Sequence, residues 1–243
     1  RIKSCALRRW YRGVTSLKAL QVLNLGRCDY MSAYQIQLDL VAKRQKGEIE
    51  DTLILVEHPP VITLGKSAED GHILFAKEFL NEQGIEVHQI ERGGDVTYHG
   101  PGQIVGYPIF DIKRGGIGIR PFVENLEQLF IQLLKEEFDI PAGKDPVHTG
   151  VWVGDSKITA IGLAVKRGVT MHGFAFNVNT EMSHFQFIVP CGIADRGVTS
   201  LEKLTGETQD FGRITELVTT YFCKVFGFDV VTHCHYEAGA LIK

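Results

Sequence analysis

The chain has 243 residues, 44% of them hydrophobic and 23% charged, with a formal net charge of -3. A chain of that length and mixture folds around its own core without covalent staples. Its near-balanced charge supplies no general attraction for nucleic acid or an anionic membrane, and no apolar run approaches the ~20 residues a membrane-spanning helix needs.

Read in chain order, Leu20–Leu25 alternates as a strand does, and Tyr30, Tyr34, Leu38 and Val41 recur at helical steps, predicting a helix over 31–46. Leu53–Val56 reads as a buried strand, broken by Pro59-Pro60 before a second strand over 61–64. A helix over 76–83 closes at Gly84, and a strand over 87–90 leads into a glycine-rich segment that strand 104–109 leaves. Pro121 opens a helix with Phe122, Leu126, Leu129, Phe130, Leu133 and Leu134 on one face. Segments 151–153, 157–165 and 169–178 read as a meander turning at Gly154-Asp155 and Arg167-Gly168, and a last helix covers 214–226. Strands and helices mix without strict alternation, which favours an α+β fold, one domain over residues 20–243.

Residues 1–19 are set apart. The first 18 residues hold six basic side chains and no acidic one, a composition resembling an organelle transit peptide. Five cysteines (Cys5, Cys28, Cys191, Cys223, Cys234) form no CxxC pair, so a reducing compartment is expected: the cytoplasm, or the mitochondrial matrix or plastid if the basic extension is a transit peptide.

Three features carry chemistry. Cys191 sits in the short apolar run Ile188-Val189-Pro190-Cys191-Gly192-Ile193, which ends in a tight turn. A thiol is a nucleophile only as its thiolate, so it needs a base or a positive neighbour; the alternative is a small buried apolar residue. Lys157, with Trp152, Ile158 and Ile161 nearby, serves either as a base depressed by burial or as a cationic partner of a thiolate; the alternative is a solvated edge lysine. Arg92-Gly93-Gly94-Asp95-Val96-Thr97-Tyr98-His99-Gly100-Pro101-Gly102-Gln103 offers backbone amides at close range, yet it is neither a P-loop nor a dinucleotide fingerprint. Segment 172–179 alternates small and apolar residues and would either line a tunnel for an alkyl chain or form a plain core strand. His233-Cys234-His235 is no metal site, because neighbours on an extended chain face opposite ways.

The glycine-rich pattern at 92–103 resembles the signature of the lipoyl(octanoyl) transferases. So do Glu57-His58-Pro59-Pro60, Thr149-Gly150-Val151-Trp152, Lys157-Ile158 with Ala160-Ile161-Gly162, His172-Gly173 with Asn177, and Pro190-Cys191-Gly192-Ile193, in order and in register from about Leu20 to Leu204. The resemblance implies an α+β fold of mixed sheet flanked by helices, shared with biotin and lipoate protein ligases. It implies Cys191 as nucleophile and Lys157 as the residue that lowers the thiol pKa. It implies substrate-lining stretches at Arg92, Gly93, Gly94, Asp95, Val96, Thr97, Tyr98 and His99, at Ala160, Ile161 and Gly162, and at Gly173, Phe174 and Ala175. It further implies an octanoyl donor on the phosphopantetheine of acyl carrier protein, and acceptor lysines on lipoyl domains of 2-oxoacid dehydrogenase complexes and on the glycine cleavage H protein. Neither ATP nor a metal is required, since a thioester is already activated. Amides of the Gly93-Gly94 loop and near Cys191 are expected to hold the oxyanion. Lys113, Arg114, Lys166, Arg167 and Arg196 are the expected dock for acidic partners. An ATP-dependent lipoate ligase and a non-enzymatic acyl-binding module are the rival readings.

Overall fold

A computed structural model describes residues 18–68, 71–189, 196–237 and 239–242. The large sheet starts with β1 (Ala19–Arg27), β2 (Thr52–Glu57) and β6 (Gln103–Ile109), and continues through β10 (Val169–Asn177), β9 (Ser156–Lys166), β8 (Val151–Val153) and β7 (Gly143–Lys144). Outside β1 lie β12 (Val230–Glu237) and β13 (Ala240–Ile242), and β11 (Gly197–Val198) joins β9. Pairings β1–β2, β1–β12 and β9–β11 are parallel, whereas β2–β6, β6–β10, β9–β10 and β8–β9 are antiparallel. The sheet is therefore mixed, and the expected meander 8-9-10 is present.

Alternation along the strands divides the apolar residues between two cores. Leu53 and Leu55 of β2 face one core, and Ile54 and Val56 face the other. Helix α1 (Tyr30–Lys46) covers the second core with Ala33, Leu40 and Val41. Helices α3 (Ile119–Phe138) and α5 (Phe211–Phe226) cover the first, to which the short α4 (Leu201–Thr205) adds Leu201. There Phe110 packs edge-on against Phe122, Phe222, Phe226 and Phe228. Full burial of one such ring stabilises the fold by about 2–3 kcal/mol. Asp29 caps α1 by accepting from the Ser32 N–H at 2.8 Å, and Gly47 ends it at φ 76°.

A second sheet of β4 (Glu86–Gln89), β3 (Val61–Leu64) and β5 (Val96–His99) stands against the first. With α2 (Lys77–Glu82) and a 3-10 turn (Met182–Phe187) it encloses a smaller core of Ile62, Leu80, Ile85, Val96, Tyr98, Phe185 and Ile188.

Several expected boundaries move. Helix α3 begins at Ile119, ahead of Pro121, because a proline is tolerated anywhere in a first turn whose N–H groups lack intrahelical partners. Helix α5 begins at Phe211, where Asp210 accepts from the Arg213 N–H at 3.0 Å. Ala19 already belongs to β1, and the Asp229 N–H donates to the Lys18 carbonyl at 2.8 Å, so the fold takes in two residues assigned to the basic extension. Among the described residues no helix is long and apolar enough to cross a membrane.

Candidate active site

Strand β9 supplies Lys157 and then Ala160, Ile161 and Gly162. Strand β10 lays Ala175, Phe174 and Gly173 directly opposite that triplet, in the pairs Ala175–Ala160, Phe174–Ile161 and Gly173–Gly162. Two stretches far apart in sequence are thus cross-strand partners on the wall of one cavity of about 350 Å³. Gly173 is forced by its neighbours, since a Cβ there would stand 2.1 Å from the Gly106 carbonyl oxygen. Gly162 lets the glycine-rich loop cross the sheet: a Cβ would come within 2.9 Å of the Gly93 oxygen, where the Gly93 N–H donates to Leu163 at 3.0 Å.

That last bond corrects one expectation. The Gly93 amide is engaged by Leu163 and does not face a reacting oxyanion. Arg92 is buried and fixes the loop from below, donating to the Thr63 carbonyl at 2.7 Å and to the Gly93 carbonyl at 3.1 Å. Arg92, Gly93, Gly94, Asp95, Thr97 and His99 line the cavity. Val96 and Tyr98 do not. They alternate to the opposite face of β5 and pack in the smaller core, where the Tyr98 hydroxyl meets His184 Nδ1 at 2.8 Å.

The far part of the cavity is a cluster of rings; the sequence motifs name His58, His99 and His172 but not Tyr107, and they place Tyr30 only on a helix. Tyr30, Tyr107 and His172 line it, with His58 in ring contact behind. The helical spacing of Tyr30 places it on α1, and nothing local in the sequence marks its place on the cavity wall. Burial lowers the pKa of His58 to about 4 and those of His99 and His172 to about 3, with the Arg92 charge adding to the latter two. The three imidazoles are neutral at physiological pH. The Gln103 amide fixes the His99 tautomer. Its Nε2 donates to Tyr98 O and Asn177 Oδ1, so its Oε1 accepts from His99 Nδ1 at 2.8 Å. With Nδ1 engaged by Gln103, His99 contributes a neutral ring to the cavity wall.

Lys157 is 6% exposed, with Nζ 4.9 Å from the Trp152 ring centre. Its stem lies against the backbone of Gly150, whose φ is 132°. Strand β11 runs beside it, pairing Val198 with Lys157, and the Thr199 N–H donates to the Lys157 carbonyl at 3.0 Å. Cys191 lies outside the described residues. The chain on either side of it is held to the cavity. The Val189 N–H donates to the His72 carbonyl at 2.8 Å, and His72 Nδ1 is 2.7 Å from Asp95. Downstream, Asn177 donates to the Thr199 carbonyl at 3.0 Å.

The residues expected to form a basic dock fall in two places: Lys113, Arg114, Lys166 and Arg167 at the β9–β10 turn, and Arg196 5.1 Å from the Trp152 ring centre beside Lys157. Lys166 and Arg167 stand at the far end of β9, about 30 Å along the strand from Lys157. Lys166 pairs with Glu91, Arg114 with Asp111 and Arg196 with Asp145. A larger groove of about 660 Å³, between β1, β2 and α5, contains none of the residues expected to carry chemistry. The described residues contain no group of three or more metal-ligating side chains placed to hold an ion.

The lipoyl protein ligase A/B catalytic domain model matches residues 29–223. An octanoyltransferase of Alkaliphilus metalliredigens is 58% identical over 212 residues, covering 87% of this chain and 97% of that protein. One from Desulforamulus reducens is 53% identical over 210 residues, covering 86% and 92%. Among solved structures, a putative lipoate protein ligase from T. acidophilum with bound lipoic acid superposes with a TM-score of 0.68 at 12% identity, covering 90% of each chain. A lipoate-protein ligase A bound with ATP gives 0.66 at 12%, covering 92% and 90%. At such identity these structures speak for the fold. The chain belongs to the lipoyl protein ligase A/B catalytic domain family, with octanoyltransferases as its relatives.

Proposed function

We propose that this chain transfers an octanoyl group from the phosphopantetheine thiol of an acyl carrier protein to a lysine of a lipoyl domain, through a thioester on Cys191. The observation that carries the reading is the tethering of both chains that flank Cys191 to one cavity. Val189 is held through His72 to Asp95, and Thr199 is held to Lys157. The cavity's wall of Ala160–Gly162 against Gly173–Ala175 is suited to an alkyl chain.

In the first half-reaction Lys157 takes the thiol proton and the thiolate attacks the donor carbonyl. The carbon–sulfur bond to pantetheine then breaks, and the leaving thiolate recovers the proton. In the second half-reaction the acceptor amine attacks the Cys191 thioester. The new carbon–nitrogen bond displaces the Cys191 thiolate, and Lys157 carries the surplus proton back to it. Because the donor is already a thioester, the balance closes without ATP or a metal ion.

Incubation with octanoyl carrier protein, followed by the mass of the intact protein, tests this. A hydroxylamine-labile octanoyl adduct is expected, absent in Cys191→Ala. Lys157→Ala is expected to slow acylation most at neutral pH, with partial recovery at high pH. Transfer from free octanoate requiring ATP and magnesium, or full activity after Cys191 is alkylated, would replace this reading with that of a ligase.

A further inference from the structure

Helix α3 presents a buried stripe of Phe122, Leu126, Leu129, Phe130, Leu133 and Leu134, and one acid interrupts it. Glu127 is 6% exposed. Its Oε1 accepts from the Gly150 N–H at 3.1 Å, and Oε2 is 3.6 Å from Lys144 Nζ, whose side chain is 41% exposed. A carboxylate is taken from water into a core at a large desolvation cost, which calls for a reason at this position.

Gly150 supplies it. This residue precedes β8 at φ 132°, and a Cβ there would lie 2.6 Å from the Thr159 carbonyl oxygen and 3.3 Å from Lys157 Cδ and Cε. Bare backbone is therefore one wall of the slot that holds the Lys157 stem, while Trp152 stands near the amine. We propose that Glu127 is a positioning residue that sets where the Lys157 amine stands, acting through the backbone of Gly150. The proposal rests on the role given to Lys157 in acyl transfer. Lys144 serves as the partly solvated counter-charge that aims the carboxylate.

Two substitutions separate the position of the acceptor oxygen from the charge. Glu127→Gln keeps an oxygen at the reach of Gly150 and loses the charge. Glu127→Asp keeps the charge and withdraws the oxygen by one methylene. A carboxylate that merely balanced Lys144 would favour Asp over Gln, and an acceptor that holds Gly150 favours Gln over Asp. Single-turnover acylation of Cys191 by octanoyl carrier protein is measured for each, with a thermal melt to confirm folding. Glu127→Asp is expected to slow acylation by up to on the order of a hundredfold, as misplaced catalytic groups do. Glu127→Gln is expected to recover most of that loss. In a Lys157→Ala background Glu127→Asp is expected to cost nothing further, since the group it positions is gone. Asp outperforming Gln, or an equal loss with and without the Lys157 amine, overturns the proposal. Lys157→Ala acylating at the parent rate instead overturns the reading of Lys157 itself, a result visible before any Glu127 variant is made.

Discussion

His58, His99 and His172 surround the Tyr30 and Tyr107 phenols, and each gives up solvation to do so. His58 Nδ1 donates to the Cys28 carbonyl at 2.7 Å, and its Nε2 accepts from the Tyr107 hydroxyl at 2.8 Å. His172 holds a φ of 56° in the middle of β10, and its N–H donates to the Gln37 side chain at 2.8 Å. A non-glycine residue in that region carries about 1–3 kcal/mol of strain, which the surrounding hydrogen bonds and ring contacts must hold. The pH dependence follows from the lowered pKa values. Between the ordinary histidine pKa of about 6.5 and the folded values of about 3 to 4, the unfolded chain binds more protons than the folded one. Stability is thus full above about pH 6.5 and falls as pH drops through that window. Each imidazole costs about 2 kcal/mol at pH 5. Urea midpoints measured from pH 7.5 to 5 are expected to fall steeply below 6.5, and His99→Gln is expected to flatten the slope. A parent midpoint unchanged across that range would show that these rings are protonated in the folded protein. The individual histidines are plain in the sequence, but their neutrality is not, because it comes from burial that separate elements create together.

Strands β9 and β10 show how far the sequence reading reaches at the scale of elements. Their existence, their turns and their antiparallel order follow from short-range alternation and the Gly154 and Gly168 turns, both at positive φ. Their register does not, because Gly162 and Gly173 announce close approach without naming what approaches. The structure names it: the Gly93 oxygen for one and the Gly106 oxygen with Pro108 for the other. Elements with little periodicity were illegible. Strands β7 and β11 have two residues each, and in β12 Cys234 alone is fully buried among half-covered and exposed neighbours. A period cannot be read from two residues, and parallel pairing with β1 depends on a partner some 210 positions away. The close approach of β6 to β10 gives a direct test. Gly173→Ala places a methyl against the Gly106 carbonyl and the Pro108 ring, which only backbone displacement relieves. It is expected to destabilise the protein by about 3 kcal/mol, read as a lower denaturant midpoint at unchanged slope. Gly154→Ala, at a turn glycine whose Cβ meets nothing within 4 Å, is expected to cost less.

At the scale of the whole molecule the site is a seam between two sheets. The three-stranded sheet brings the glycine-rich loop and His99, and the large sheet brings Lys157 and the paired stretches of β9 and β10. What joins them is a relay of buried amides. His99 reaches Gln103 at 2.8 Å, Gln103 reaches Asn177 at 2.8 Å, and Asn177 reaches the Thr199 carbonyl at 3.0 Å. Thr199 in turn donates its N–H to Lys157 at 3.0 Å. Gln103, Asn177 and Thr199 are at most 4% exposed, so no water stands ready to replace a missing member. Asn177→Leu fills the space but orphans the Thr199 carbonyl and one donor of Gln103, at about 1–3 kcal/mol each. If the relay is what holds β11 beside Lys157, the Thr199 amide is expected to exchange with solvent deuterium faster in this variant. The Ile140 amide, bonded to Leu134 at the far end of α3, is expected to keep its protection apart from the uniform effect of lower global stability. Acylation is expected to slow in parallel, because β11 is the chain that returns from Cys191. Unchanged Thr199 protection with unchanged transfer would mean that β11 is held by its ladder with β9 alone, and that the two sheets meet at the site without depending on each other.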